Sequence, residues 1–277
     1  MGDKVDLGSL ITRKAAGEKL TMVTAYDFPF ARLVDEADID LILVGDSLGN
    51  VVLGYPDTLP VTMDEMLHHT RAVSRGVRRG LVIGDMPFMS YNVTTPEAIR
   101  NAGRFVKEAG ADLVKLEGGE AVADTVAAIV RAGMPVCGHL GLTPQTATQL
   151  GGYRVQGRTA ATARTILADA LRLEEAGSSM IVLECVPDRV AARISASLRI
   201  PTIGIGAGPG CDGQVLVLHD LLGLGVGDFQ PRFVKRFGEV ADATRAAVSA
   251  YRDEVVAGTF PAAEHSFTIT DEELDKL

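Results

Sequence analysis

The sequence predicts a single-domain α/β protein with the (β/α)₈, or TIM barrel, fold. Three observations predict it: short apolar runs recur along the chain, helical segments with marked ends separate them, and the runs number eight. Eight parallel strands are the number that closes into a barrel filled by its own side chains. A length of 277 residues fits one such domain. We therefore expect one domain over residues 1–277, ending in a short acidic tail at about 268–277.

Each of the eight runs is rich in Val, Ile and Leu and is too short to form a helix. Hydrophobicity that is continuous rather than alternating is typical of parallel strands covered on both faces. The predicted strands, in chain order, are Thr21–Ala25, Leu41–Val44, Leu81–Gly84, Leu113–Leu116, Pro135–Cys137, Met180–Leu183, Pro201–Ile205 and Val215–Leu218.

The helical segments between these runs have recognisable starts. Thr62 and Glu65 have the spacing of a capping box, in which each side chain satisfies a backbone N–H group of the other residue. Thr95 followed by Pro96 predicts a second start, with threonine as the cap and proline at the first helical position. Both starts lie between predicted strands, as a repeating strand and helix unit requires.

Three helices end in an Ala-Gly pair whose glycine can adopt the left-handed conformation before the next strand. These glycines are Gly110, Gly133 and Gly177. Right-handed connections between such units produce either a closed barrel or an open doubly wound sheet. The lack of a dinucleotide-binding fingerprint after the first strand favours the barrel.

Two segments lie outside this repeat. Gly141–Thr159 is long, contains few apolar residues and follows a strand end, so it predicts either a mobile lid or binding loop or an ordinary surface excursion. The tail Thr268–Leu277 carries four acidic residues and predicts a frayed end or a short helix.

Composition argues against several classes of function. A net charge of −9, from 36 acidic and 27 basic residues, disfavours nucleic acid as a partner, because phosphate binding needs clustered Lys and Arg. The chain has no apolar stretch of about 18 residues and no secretory signal at its start, so we expect a soluble, cytoplasmic protein without a membrane partner. Three separated cysteines, Cys137, Cys185 and Cys211, predict small buried apolar residues rather than a zinc or redox site.

Polar and ionisable residues stand at the carboxyl ends of five consecutive predicted strands. Catalytic groups of (β/α)₈ enzymes lie at this end of the barrel, so these residues are the candidate site. They are Asp46 and Ser47 after the second strand, Asp85 after the third, Lys115 and Glu117 on the fourth, His139 after the fifth and Glu184 after the sixth.

Three carboxylates in one mouth, those of Asp46, Asp85 and Glu117, predict a bound cation, since they would otherwise repel one another. An oxygen donor set favours Mg²⁺ over Zn²⁺, which usually recruits histidine or cysteine. The alternative is that Asp46 and Asp85 only cap the helices that follow them.

The other ionisable residues have expected roles around that cation. Lys115 and Glu117 lie two apart on a strand and therefore face the same side, the barrel interior. Lys115 is then placed either to pair with Glu117 or to bind a substrate carboxylate or developing oxyanion. Glu184 lies farther round the barrel and is the candidate proton-accepting base. His139 is either functional or a core histidine bonded to backbone.

The motifs of the chain closely resemble those of the ketopantoate hydroxymethyltransferase family from about Ser9 to about Phe267, in order and without a large insertion. The motifs that carry the resemblance are Thr24-Ala-Tyr-Asp27, Val44-Gly-Asp-Ser-Leu-Gly49, Leu59-Pro-Val-Thr62, Asp85-Met-Pro-Phe88, Lys115-Leu-Glu-Gly-Gly119, Val136-Cys-Gly-His-Leu-Gly-Leu-Thr-Pro144, Gly151-Gly-Tyr-Arg-Val-Gln-Gly157, Leu183-Glu-Cys-Val-Pro187 and Gly204-Ile-Gly-Ala-Gly208.

The resemblance implies a (β/α)₈ enzyme that hydroxymethylates 3-methyl-2-oxobutanoate, the first committed step toward pantothenate and coenzyme A. It implies 5,10-methylenetetrahydrofolate as the one-carbon donor and a Mg²⁺-stabilised enolate. It also implies a cytoplasmic homodecamer of two pentameric rings. By the same resemblance, metal positions fall on Asp46, Asp85 and Glu117, substrate positions on Asp46, Ser47, Asp85 and Lys115, and the proton acceptor is Glu184.

We expect His139 to orient a ligand or water at the same site. Two other functions stay open at this point. One is a Mg²⁺-dependent lyase or mutase acting on 2-oxo acids, because the string Cys137-Gly-His-Leu-Gly141 is similar to one in the isocitrate lyase group. The other is a non-catalytic barrel that serves as a binding or assembly module. Dependence on folate distinguishes the first alternative, and Mg²⁺-dependent turnover the second.

Overall fold

The structure, a computed structural model, describes residues 4–225 and 231–277, and these fall into two compact units. The first unit takes the described residues up to Leu218 together with Gly225 and 231–234. The second takes His219–Leu224 and Lys235–Leu277. The first unit is a closed barrel of eight parallel strands, each hydrogen-bonded to its neighbours in chain order, with the eighth paired to the first. The predicted fold class is therefore confirmed.

All eight predicted strands are present. They are β1 Leu20–Thr24, β2 Leu41–Val44, β3 Leu81–Asp85, β4 Leu113–Glu117, β5 Val136–Gly141, β6 Met180–Glu184, β7 Thr202–Ile205 and β8 Gly213–Leu216. β5 runs four residues beyond its predicted end at Cys137. Its last four residues include two glycines and a histidine, but β4 and β6 pair with it on both sides and supply the hydrogen bonds that extend it.

Helices alternate with these strands. They are α1 Leu7–Ala15, α2 Phe28–Glu36, α3 Leu48–Val51, α4 Met63–Gly76, α5 Thr95–Ala109, α6 Glu120–Arg131, α7 Ala160–Glu175, α8 Asp188–Ser197, α9 Leu218–Leu221, α10 Val240–Ala257 and α11 Asp271–Leu274. α11 lies in the acidic tail, where a short helix was one of the two predicted outcomes.

The predicted helix ends are confirmed with one correction. Thr62 and Glu65 form the capping box of α4. The cap of α5, however, is Thr94 rather than Thr95, and its side chain accepts a hydrogen bond from the backbone N–H of Glu97. Two adjacent threonines have the same capping chemistry, so the sequence does not distinguish them. The three predicted glycines all have positive φ, and Gly110 is the C-cap of α5.

The barrel interior is filled by apolar side chains in stacked layers. They come from alternate positions of the strands and include Leu20, Met22, Leu41, Leu43, Leu81, Ile83, Leu113, Cys137, Met180, Val182, Ile203 and Val215. Cys137 and Cys211 are buried as predicted, but Cys185 is only partly buried, so the prediction is wrong there. Cys185 directly follows β6 and has φ 49°, a left-handed conformation that is unusual for a side-chain-bearing residue.

The amino end of the barrel is held by three aspartates, each directly preceding a strand. Each accepts a hydrogen bond from a backbone N–H group of the preceding odd-numbered strand, at 2.8 or 2.9 Å: Asp40 from Thr21, Asp112 from Val82 and Asp212 from Thr202. Each also forms an ion pair with a basic residue near the start of the chain. The pairs are Arg13–Asp40 at 2.6 Å, Lys4–Asp112 at 2.7 Å and Lys14–Asp212 at 2.8 Å.

These pairs hold α1 beneath the barrel, where Val5 and Leu10 join the apolar interior. Hydrogen bonds and charge at this end therefore serve the fold. The opposite end, where the strands finish, is left for the candidate site.

The second unit contains α10, an 18-residue helix without a buried residue. It ends at Gly258, which has φ 71°, and the ring of Tyr251 lies 5.7 Å from that of Phe260. In the part of the chain that the structure describes, no helix is both long enough and apolar enough to cross a membrane. The prediction of a single domain over the whole chain stays a prediction.

Candidate active site

The carboxyl ends of β2 to β6 bring the predicted ionisable side chains into one connected cluster. Five of them have at most 4% of their surface exposed: Asp46, Asp85, Lys115, Glu117 and His139. Glu184 is partly exposed at the edge of the cluster. So many buried charges are stable only when they compensate one another or hold a ligand.

The strand register explains why these residues meet. Asp85 on β3 pairs with Lys115 on β4, and Glu117 on β4 pairs with His139 on β5. Residues paired across parallel strands point to the same side, here the interior. Lys115 and Glu117 both face the interior, as their spacing of two predicts.

Neither Asp46 nor Asp85 caps a helix. The cap residue of α3 is Ser47, without a side-chain hydrogen bond, and the caps of α4 and α5 are Thr62 and Thr94. Instead, the backbone N–H of Asp46 donates to Asp85 Oδ2 at 3.1 Å, which joins the ends of β2 and β3. The structural alternative for these two aspartates is therefore wrong.

Lys115 is the central positive charge. Its Nζ lies 2.7 Å from Asp85 Oδ1, and the ion pair is almost completely buried. Burial alone would lower the pKa of Lys115, but the carboxylates of Asp85, Glu117 and Asp46 raise it above its ordinary value. The ammonium group therefore stays charged at neutral pH. Pairing with Glu117 was one of the two alternatives for Lys115, and the structure shows Asp85 as its ion-pair partner instead.

His139 lies between two carboxylates. Its Nδ1 atom is 3.3 Å from Glu117 Oε1, and its Nε2 atom is 3.2 Å from Glu184 Oε2. Burial and the Lys115 ammonium lower the pKa of His139, but hydrogen bonds with Glu117 and Glu184 outweigh them and raise it to about 9. Because His139 bonds to side chains of the cluster, it is not a core histidine bonded only to backbone.

Burial and the neighbouring Asp85 and Glu117 carboxylates raise the pKa of Asp46 well above its ordinary value. Burial also raises the pKa of Asp85, despite the Lys115 ammonium. For Glu117, burial raises the pKa, but the hydrogen bond and charge of His139 outweigh it and lower the pKa. Both aspartates are therefore harder to ionise in this cluster than in water, and additional positive charge would favour their ionised forms.

The balance of charge leads to the same result. Asp46, Asp85, Glu117 and Glu184 carry four negative charges when ionised, and Lys115 and protonated His139 carry two positive ones. The excess of two negative charges is what one divalent cation neutralises.

The donor set fits a hard cation. Asp85 Oδ1 and Glu117 Oε1 are buried without a hydrogen bond in good geometry, although Lys115 and His139 lie near them. Oxygens of this kind are the ligands that Mg²⁺ prefers. Among the described residues, no three His, Cys, Asp or Glu side chains lie close enough together to hold a metal ion. Holding one therefore requires the carboxylates to move closer together.

Two buried residues of the cluster, Gln145 and Tyr91, were not predicted. Gln145 lies in a 3₁₀ turn, Pro144–Thr146, directly after β5, and its amide nitrogen donates to Asp46 Oδ2 at 2.9 Å. The Tyr91 hydroxyl donates to Gln145 Oε1 at 2.6 Å. Burial and the Glu117 carboxylate raise the pKa of Tyr91, which keeps this hydroxyl protonated. A polar residue in a loop gives no local signal of burial, so the sequence does not reveal them.

Ser47, the remaining predicted site residue, lies beside Asp46 at the start of α3. Its hydroxyl is 2.8 Å from the hydroxyl of Tyr26, which is buried after β1. The long loop Gly141–Thr159 contributes Gln145 to the cluster, while Tyr153 farther along is 63% exposed. Movement of this loop as a lid stays a prediction.

Residues 4–263 match the family described as ketopantoate hydroxymethyltransferase. The 3-methyl-2-oxobutanoate hydroxymethyltransferase of Moorella thermoacetica is 61% identical over 264 residues, which cover 95% of this chain and 98% of that protein. That of Heliobacterium modesticaldum is 57% identical over 272 residues and covers 98% of both chains.

Several solved structures with a similar fold have much lower identity. A 2,3-dimethylmalate lyase, a member of the PEP mutase/isocitrate lyase superfamily, superposes with a TM-score of 0.59 at 16% identity, covering 98% of this chain and 93% of that one. At this level of identity, the likeness shows a shared barrel fold and nothing about the reaction.

Proposed function

Because the chain belongs to the ketopantoate hydroxymethyltransferase family, we propose that it transfers a hydroxymethyl group from 5,10-methylenetetrahydrofolate to 3-methyl-2-oxobutanoate, giving 2-dehydropantoate. The product is a precursor of pantothenate and coenzyme A. The observation that carries the proposal is identity of 61% across 95% of the chain to a relative with this activity in its name. The buried acidic cluster supports it, because a 2-oxo acid that must lose a C3 proton needs both a cation and a base.

Asp46, Asp85 and Glu117 would hold Mg²⁺, directly or through water. Bound there, the cation would polarise the carboxylate and keto oxygens of the substrate and make the C3 proton removable. The support is the burial of three carboxylates in one cluster, the excess negative charge and the raised pKa values of Asp46 and Asp85.

Glu184 would take the proton from C3 of the substrate. Its carboxylate is the most accessible acidic group of the cluster, and the imidazole of His139 holds one of its oxygens at 3.2 Å. This contact leaves the other oxygen to face the substrate. The base is thus oriented before substrate arrives, which lowers the entropic cost of proton transfer.

Lys115 and Ser47 would bind the substrate. A buried ammonium that stays charged offsets the substrate carboxylate and the negative charge that develops on the keto oxygen. The Ser47 hydroxyl, fixed by Tyr26, can donate to the same oxygens. The C3 carbanion would then form a bond to the methylene carbon of the folate. Both bonds from that carbon to the folate nitrogens break, water supplies the hydroxyl oxygen, and tetrahydrofolate leaves with the released protons on its nitrogens.

The central test follows exchange of the C3 proton of the keto acid in D₂O with Mg²⁺ present and folate absent. Glu184→Gln should slow exchange by roughly 10²-fold or more, the scale of a positioned general base. Glu175→Gln, an exposed position at the end of α7, is the matched control and should exchange normally. Normal exchange in Glu184→Gln would remove Glu184 from the role of base.

A second assay tests the reaction as a whole. Keto acid and methylenetetrahydrofolate should give product with Mg²⁺ and none without it. Cleavage or rearrangement of a 2-oxo acid without folate would instead support the lyase or mutase alternative, and an absence of Mg²⁺-dependent turnover would support a non-catalytic barrel.

We also propose that the chain acts in the cytoplasm as a homo-oligomer, a decamer by its resemblance to the family. Exposed large apolar residues on α10, Val248, Tyr251, Val255 and Val256, support association, because such side chains are usually covered. Light scattering coupled to size-exclusion chromatography tests it, and a monomer at micromolar concentration would contradict it.

A further inference from the structure

Gln145 uses its side-chain amide and its backbone N–H within the buried cluster. Its side-chain nitrogen donates to Asp46 Oδ2 at 2.9 Å and to the carbonyl oxygen of Met86 at 3.0 Å, and its side-chain oxygen accepts from Tyr91 at 2.6 Å. Its backbone N–H donates to Glu117 Oε2 at 3.0 Å. One residue therefore touches the carboxylates at the ends of two different strands, β2 and β4.

The surroundings leave the amide only one orientation. The carbonyl of Met86 can only accept, so the side-chain nitrogen must face it, and the oxygen then faces the Tyr91 hydroxyl. That hydroxyl in turn accepts from the backbone N–H of Glu117 at 3.3 Å. The Met86 carbonyl and the Tyr91 hydroxyl thus hold the amide in the orientation that contacts Asp46. Tyr91 itself is held by the backbone of β4.

The oxygens that Gln145 engages divide the acidic cluster into two sets. In each of three carboxylates, one oxygen accepts from a protein N–H group: Asp46 Oδ2, Asp85 Oδ2 and Glu117 Oε2. Gln145 supplies two of these three donors. The opposite oxygens face the cationic side chains of the cluster: Asp85 Oδ1 lies 2.7 Å from Lys115 Nζ, and Glu117 Oε1 lies 3.3 Å from His139 Nδ1.

We infer that Gln145, held by Tyr91, is a positioning residue that orients the carboxylates of Asp46 and Glu117 toward a divalent cation. The inference rests on the Mg²⁺ site of the proposed function. Gln145 donates to one oxygen of Asp46 and to one oxygen of Glu117, which lie on different strands. These two hydrogen bonds fix the rotation of both carboxylates, as the groups that surround metal ligands commonly do.

The test measures binding of Mg²⁺ alone to the full-length protein, by titration calorimetry and by competition with Mn²⁺ followed by electron paramagnetic resonance. Gln145→Met keeps the length of the side chain and removes its hydrogen bonds, and it should weaken Mg²⁺ binding by about 10- to 100-fold. Tyr91→Phe removes only one hydroxyl and should weaken it by about tenfold, near the lower end of that range. The activation constant for Mg²⁺ should rise in parallel, with kcat nearly recovered at saturating Mg²⁺.

Gln214→Met is the matched control, because the side chain of Gln214 on β8 donates to the Gly208 carbonyl outside the cluster. Its Mg²⁺ affinity should equal that of the parent protein. Two results would overturn the inference. One is a Mg²⁺ affinity within twofold of the parent protein in both Gln145→Met and Tyr91→Phe. The other is a loss of Mg²⁺ affinity in Gln214→Met as large as that in Gln145→Met. If Gln145→Met does not fold, Tyr91→Phe decides alone. A parent protein that binds no Mg²⁺ would instead contradict the metal site of the proposed function.

Discussion

The ion pair between Arg13 and Asp40 at the amino end of the barrel allows a prediction of size as well as direction. Asp40 accepts three hydrogen bonds, from the backbone and hydroxyl of Thr21 at 2.9 Å each and from Arg13 Nη1 at 2.6 Å. Its side chain is only 6% exposed, and that of Arg13 is 29% exposed. Asp40→Asn keeps the shape of the side chain, removes its charge and leaves Arg13 with the more distant carboxylate of Glu18, 3.5 Å away.

The expected loss follows from the type of bond removed. A hydrogen bond to a charged group contributes about 1.5–3 kcal/mol, and the bonds to Thr21 can survive in part, so Asp40→Asn should cost about 2–3 kcal/mol of unfolding free energy. Asp64→Asn is the matched control. Its ion pair with Arg104 has a similar length, 2.9 Å, but Asp64 is 86% exposed, so the loss should be below about 1 kcal/mol.

Thermal denaturation at one protein concentration measures both variants. A loss of 2–3 kcal/mol corresponds to about 4–10 °C in Tm for a chain of this size. Equal shifts in Asp40→Asn and Asp64→Asn would refute the reasoning, because burial would then not decide the strength of the pair.

The pH dependence gives a second check on Asp40. Burial raises its pKa, but the hydrogen bonds from Arg13 and Thr21 outweigh burial, so the pKa lies below its ordinary value. The stabilisation by the charge is therefore complete above about pH 4, the ordinary pKa of aspartate, and is lost as the pH falls further. The difference in Tm between the parent and Asp40→Asn should be full at pH 7 and smaller at pH 3.5.

Three further predictions follow from the glycines, caps and metal ligands. Gly141→Ala should cost more than about 2 kcal/mol and slow C3 exchange, because φ is 95° and the new Cβ would lie 2.2 Å from the carbonyl oxygen of Glu184. Gly151→Ala, with φ 78° and no atom within 4 Å, should cost only about 1 kcal/mol, and equal effects in thermal denaturation would contradict the packing argument. Thr94→Ala should lower the unfolding free energy by about 1 kcal/mol and Thr95→Ala by distinctly less, because Thr94 caps α5. A lower Tm in Thr95→Ala than in Thr94→Ala would identify Thr95 as the cap. Removal of divalent cations with EDTA should stop C3 exchange, and added Mg²⁺ should restore it; exchange at the untreated rate would argue against a metal-assisted reaction.

The fold was predictable because its signals are local. Continuous apolar runs identify strands buried on both faces, and the strand ends then mark the positions of Asp46, Asp85 and Glu184 without knowledge of the packing. The extension of β5 was not predictable, because Gly138–Gly141 lacks an apolar pattern and becomes a strand only through hydrogen bonds from its neighbours.

The sequence predicts which charged residues lie in the site better than it predicts which residues contact one another there. The register of β3 against β4 decides that Lys115 pairs with Asp85 rather than Glu117, and register is a property of the assembled sheet. Gln145 and Tyr91 belong to loops whose depth in the mouth depends on the packing of the whole barrel. The sequence therefore predicts which charges meet more readily than it predicts which neutral groups orient them.

The apolar interior separates the aspartates at the amino end from the acidic cluster at the carboxyl end. Leu43, Ile83 and Leu113 belong to this interior on β2, β3 and β4, so apolar packing lies between the two ends along these strands. Substitutions at the amino end are accordingly constrained by stability, and those at the carboxyl end by the geometry of the site. Adaptation of such an enzyme to heat or acid can proceed through Asp40, Asp112 and Asp212 and their basic partners, while the geometry that selects the substrate is inherited unchanged.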